Sequence, residues 1–132
     1  MKKVSNELID YWIEEGILYS KFNKPIVMSL ELMKESIQMR HEISEHKKQY
    51  WCLIAEKVKS YPKEARDYSA VHGQDYLHAC ATVVNSHIAT FIFNAYNRIN
   101  KPSIPFRAFK TKDEAVEWLR TLKQENEARG IL

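Results

Sequence analysis

The residue types in this chain that could do chemistry are five histidines, two cysteines, and a few cations and hydroxyls at helix starts. His41, His46, His72, His78 and His87 include no H-x-x-x-H or HExxH pair that would set two imidazoles on one helix face for a metal. They are expected at or near the surface, with no metal. Cys80 with a distant histidine would make a nucleophile pair, but Cys52 and Cys80 both lie in apolar runs. Burial of that kind raises a thiol pKa and makes the group inert. With only Gly16, Gly73 and Gly130 available, neither a GxGxxG nor a Walker loop can be written. No cofactor and no catalytic constellation are expected.

One place combines polar groups usefully. Lys63 and Arg66 fall at the start of one helix, and Asn85 and Ser86, followed by His87, at the start of the next. If both starts lie at the carboxyl edge of a parallel sheet, two helix N-termini and two cations would favour an anion. The competing account is structural. Glu64 and Asp67 pair with the cations, and Asn85 and Ser86 are caps.

The elements that must position these residues follow from pattern. Leu8 to Ile13 and Ile17 to Phe22 read as a hairpin turning through Glu14-Glu15-Gly16. Ser29 suits an N-cap for a helix reaching to about Lys47. Leu30, Met33 and Ile37 make its main stripe. Leu32, Met39 and Ile43 lie around from it, so the helix is either wedged between layers or packed on a partner. Tyr50 to Ala55 and Leu77 to Val84 are apolar runs of strand length. Pro62 opens and Gly73 closes the helix between them. Asn85 or Ser86 caps a helix with Ile88, Phe91, Ile92, Ala95 and Ile99 on one side, which Asn100-Lys101-Pro102 stops. Ile104 to Phe109 is a strand that Pro105 confines to an edge. Thr111 and Glu114 form a capping box for a last helix through Ala115, Trp118, Leu119 and Leu122. From Glu125 the chain is expected to fray. The order β-β-α-β-α-β-α-β-α predicts an α/β fold with a mostly parallel five-stranded sheet, an antiparallel N-terminal strand and four helices.

The composition agrees with one soluble domain over 1–132, with an ordered core of about 7–124: 132 residues, 45% hydrophobic, 11% aromatic. The net charge of +3 comes from charges that alternate without a basic block, so no nucleic-acid partner is expected. Neither a signal peptide nor a membrane-spanning run is read, and a cytoplasmic protein without stable membrane insertion is expected.

Several strings resemble one family: Trp12-Ile13-Glu14-Glu15-Gly16-Ile17-Leu18, Lys63-Glu64-Ala65-Arg66-Asp67-Tyr68, Val84-Asn85-Ser86, Asn100-Lys101-Pro102 and Glu114-Ala115-Val116-Glu117-Trp118-Leu119. In that order they resemble the STAS/SEC14-like, or SpoIIAA-like, small bacterial domains, relatives of the sporulation anti-sigma-factor antagonists. The resemblance implies the STAS-type fold and no settled enzymatic activity. It also implies a departure. The antagonists carry an acid near the end of the central strand and a phosphorylated Ser opening the next helix. Those positions hold Ile54 and, for the Ser pair, Lys63 and Glu64. The expected function is a non-catalytic regulatory or protein-interaction module lacking the usual phosphorylatable serine. The alternative is a SEC14-like binder of a small hydrophobic or anionic ligand. A homodimer or a regulatory protein partner is expected, with Leu32, Met39 and Ile43 as its interface.

Overall fold

The structure, a computed structural model, describes residues 2–100 and 102–131. The hairpin is present as β2 (Ile9–Glu14) and β3 (Ile17–Phe22). Its two-residue turn, Glu15 at φ 50° and Gly16 at φ 77°, has the positive φ pair that matches strand twist. A further strand, β1 (Lys2–Ser5), pairs antiparallel with β2. The main sheet therefore has six strands rather than the expected five. Short strands β4 (Ile26–Val27) and β6 (Val58–Ser60) form a separate parallel pair. The sheet runs β1-β2-β3-β5-β7-β8, where β5 is Gln49–Ile54, β7 Leu77–Val83 and β8 Phe106–Phe109. From β3 onward every pairing is parallel.

Local chemistry starts the helices. Ser29 Oγ accepts from the Leu32 N–H at 3.1 Å and opens α1 (Leu30–Ser44). Thr111 Oγ1 accepts from the Glu114 N–H at 3.3 Å and donates to its carboxylate at 2.9 Å, opening α4 (Lys112–Ala128). Pro62 precedes α2 (Lys63–His72), and Ser86 precedes α3 (His87–Asn100). Gly73 ends α2 without the left-handed backbone usual for a closing glycine, since its φ is −72°. It is required by space: a Cβ there would lie 2.5 Å from the Ser69 carbonyl oxygen.

Strand alternation builds two cores. Leu18 and Phe22 of β3, with Ile9 and Tyr11 of β2, pack on Met33, Ile37 and Ile43 of α1. Ile17 and Tyr19 of β3 face the other way, with Cys52, Ala81 and Val83, onto Ala115 and Leu119 of α4. Helix α1 is the wedge: it packs on β1 and β2 and against α2. That corrects the expected interface. Leu32 and Ile43 are buried in the chain's own core, and Met39 is half-buried against it, because both apolar stripes of α1 are used within the fold. Helix α4 also outlasts its expected end at Glu125. Asn126 donates to the Tyr50 hydroxyl at 2.7 Å and ties the last turns to β5.

Candidate functional site

Helix α3 sits beside β8, the end strand of the sheet, where Pro105 led us to expect an edge. An edge strand leaves unpaired N–H and C=O groups. Asn94 answers two of them: its side-chain oxygen accepts from the Ala108 N–H at 2.8 Å, and its amide donates to the Ala108 carbonyl at 3.3 Å. Asn97 donates to the Phe106 carbonyl at 3.3 Å, and Phe93 lies on Phe106 with ring centroids 5.4 Å apart. The polar side of α3 therefore faces the protein. Its apolar side faces out, with Ile88 74% and Phe91 69% exposed. This reverses the usual arrangement, in which the apolar stripe of a helix covers the core. Ala95 of that stripe is half-buried, while the Ile92 and Ile99 side chains, and Lys101 of the expected stop, lie outside the described residues.

A second unusual group, missed in the sequence, is Arg40 of α1, only 1% exposed. No carboxylate pairs with it among the described residues. Its guanidinium lies over the Trp51 ring at 4.7 Å and donates to two backbone carbonyls, Asp75 at 2.8 Å and Gly73 at 3.2 Å. Those carbonyls close α2, so Arg40 is a buried cation at the negative end of that helix. The Trp51 indole N–H donates to Ser20 Oγ at 2.9 Å, and the Tyr11 hydroxyl to the Ser36 carbonyl at 2.9 Å. The sequence signal for Arg40 was its place between Ile37 and Ile43 on a helix with two apolar stripes.

The residues of the expected anion crevice are not joined. Lys63 at the start of α2 pairs with Asp67 at 2.8 Å on the exposed surface. Arg66 is exposed, as is Asn85. Ser86 Oγ accepts from the Ala89 N–H at 3.0 Å, the capping role weighed against ligand binding. Among the described residues no hydrogen bond or ion pair connects Lys63 or Arg66 with Asn85 or Ser86. The groove at this place, about 440 Å³, is lined by Pro62, Lys63, Glu64 and Asp67, so two carboxylates share it. A shallow groove of about 600 Å³ between the hairpin and α4 is likewise lined largely by charged groups, including Glu14, Lys112, Asp113 and Arg120.

Both thiols are buried, and burial pushes each up to about 12. Burial and then the Arg40 charge hold the half-buried His41 below its usual range. His41 and His46 both meet the Tyr76 ring edge to face, at 4.9 and 5.2 Å. Among the described residues no group of three or more His, Cys, Asp or Glu is placed to hold a metal.

A six-stranded, mostly parallel sheet in sequential order, with an antiparallel start and four helices, defines a SpoIIAA-like α/β domain. A crystal structure of an uncharacterised protein of the DUF3478 family from Shewanella loihica PV-4, described as having a SpoIIAA-like fold, is similar. Its TM-score is 0.59 at 16% identity, covering 88% of this chain and 98% of that one, a likeness of fold alone. No curated protein matches the sequence significantly. The chain belongs to the family described as a domain of unknown function, DUF7793, whose sequence model matches residues 11–123.

The phosphorylation expectation now has a position in the fold. Lys63 and Glu64 form the first turn of α2, where the resemblance places the acceptor serine. Incubation with an STAS-type serine kinase and ATP is expected to leave the intact mass unchanged. A stoichiometric phosphate on Ser60 or Ser86 would show that the acceptor has moved to a neighbouring hydroxyl.

Proposed function

We propose that this domain is a non-catalytic regulatory or protein-interaction module that receives a polypeptide partner on the outer side of α3. The observation that carries this reading is the orientation of α3: Asn94 and Asn97 are spent on the edge of β8, while Ile88 and Phe91 are held in water. Large exposed side chains on a helix fixed by its other side cost solvation that a partner would recover. Aromatic anchors of this kind dominate binding at protein interfaces. The resemblance to the sporulation antagonists, which act through protein partners, points the same way. The hydrophobic-ligand form of the alternative gains nothing from the two grooves, whose charged linings suit an apolar ligand poorly.

The test is site-specific photo-crosslinking in cells making the protein at its native level. A photoreactive residue at Phe91 should give a discrete crosslinked protein. The same residue at Glu125, exposed on α4, should not. Equal patterns from the two positions, or none from Phe91, would sink the reading.

A further inference from the structure

The alternation of charge along this chain stops at Asp75 and resumes at Asp113. From Tyr76 to Lys112 there is no Asp or Glu, while Arg98, Lys101, Arg107, Lys110 and Lys112 all fall within that stretch. Among the described residues the ion pairs of the fold all lie outside that stretch. Lys2, Lys47, Lys63, Arg120 and Lys123 each meet a carboxylate. Among the described residues none of Arg98, Arg107, Lys110 or Lys112 does, and all four are exposed.

Two of these cations border the outer side of α3. Arg98 follows Phe91 by two helical turns and so lies on nearly the same line of the helix. Lys110 Nζ lies 3.0 Å from the His87 ring at the start of α3. Ile88 and Phe91 are thus exposed apolar side chains bordered by cations that, among the described residues, form no ion pair.

Resting on the docking reading above, we infer that the partner is an acidic polypeptide segment. It sets an apolar or aromatic side chain against Ile88 and Phe91 and carboxylates against Arg98 and Lys110. Charge complementarity selects that occupant, because surface cations without a carboxylate partner steer and orient an acidic one. A protein segment is favoured over a lipid surface by the size of the apolar contact. A membrane-surface helix needs a broad apolar face, and among the described side chains the outer side of α3 exposes two large apolar ones, Ile88 and Phe91. Two anchors suit a protein interface, where a few central residues dominate.

The experiment pans the full chain against random peptides displayed on phage and measures selected peptides by fluorescence anisotropy, in about 0.05 and 0.5 M NaCl. The expected winners are acidic with at least one aromatic or branched aliphatic residue. Their binding should weaken at least tenfold in high salt, and at least tenfold in the Arg98→Glu, Lys110→Glu variant. All these positions are exposed, so the variants should melt as the parent does. If peptides lose affinity on Phe91→Asp but are neutral or basic, or ignore salt, the acidic partner is overturned and the docking face stands. If no selected peptide responds to Phe91→Asp, the docking face itself falls. If phosphatidylserine vesicles sediment the parent chain and not Phe91→Asp, the surface belongs to a membrane and the inference is overturned.

Discussion

Replacing Arg40 by alanine is expected to lower the free energy of unfolding by roughly 3–5 kcal/mol, from a core cavity together with buried carbonyls left unsatisfied. Three losses add. The vacated volume lies inside the core, and deletions of this size leave a cavity whose lining loses its contacts. The Gly73 and Asp75 carbonyls, now served by one guanidinium, are left without their donor. An unsatisfied buried polar group costs about 1–3 kcal/mol. The third loss is the contact with the Trp51 ring. Helix α2 should suffer first, since Ala65 is its sole fully buried residue. Chemical denaturation with hydrogen exchange checks both parts. Amides of α2 should exchange early in Arg40→Ala. Arg40→Lys, which keeps the charge without the fork that reaches both carbonyls, should fall between. A loss below about 1 kcal/mol would mean the guanidinium is not what holds α2.

The second large effect is alkaline. Cys52 and Cys80 are pushed up to about 12 from an ordinary 9.0, with burial the main cause in both. A group whose folded pKa is raised gives its full stability below the unfolded pKa and loses it as pH climbs toward the folded one. The loss therefore begins near pH 9, where thiols of the unfolded chain start to ionise, and continues toward pH 12. Between pH 9 and 11 each thiol should cost roughly 2–3 kcal/mol, taking about 1.36 kcal/mol per pH unit. Together they rival the entire stability of an ordinary domain, about 5–15 kcal/mol. Buried Tyr11, raised to about 12 by desolvation, steepens the fall above pH 10. Denaturation midpoints from pH 7 to 11 should drop sharply above pH 9. The Cys52→Ala, Cys80→Ala variant should show a much shallower slope. A parent midpoint flat to pH 11 would contradict burial of both thiols in the folded state.

The sequence by itself determined the elements wherever local chemistry is sufficient. Ser29 and Thr111 start helices by bonds within one turn, and Glu15-Gly16 makes the hairpin from backbone angles alone. Pro105 pointed to the edge strand but lies just outside it: β8 begins at Phe106, not at the expected Ile104, because a residue without an N–H fits poorly inside a sheet. The short-range resemblance and the apolar runs were enough for the α/β order. What depended on distant partners was decided only by the tertiary structure. Strand β1 forms because β2 offers it an edge, and its own composition, Lys-Lys-Val-Ser, carries little strand signal. Leu32 and Ile43 are core residues because they join the cluster that β2 and β3 build against α1, a cover that a lone helix does not have. Helical periodicity found the apolar stripe of α3 and could not orient it. The orientation follows from two asparagines that satisfy an open strand edge, and this pairing spans separate elements. The role of Arg40 was decided the same way: its place among apolar stripes hinted at burial, but a cation in a core requires carbonyls from another part of the chain, and only folding brings Gly73 and Asp75 to it.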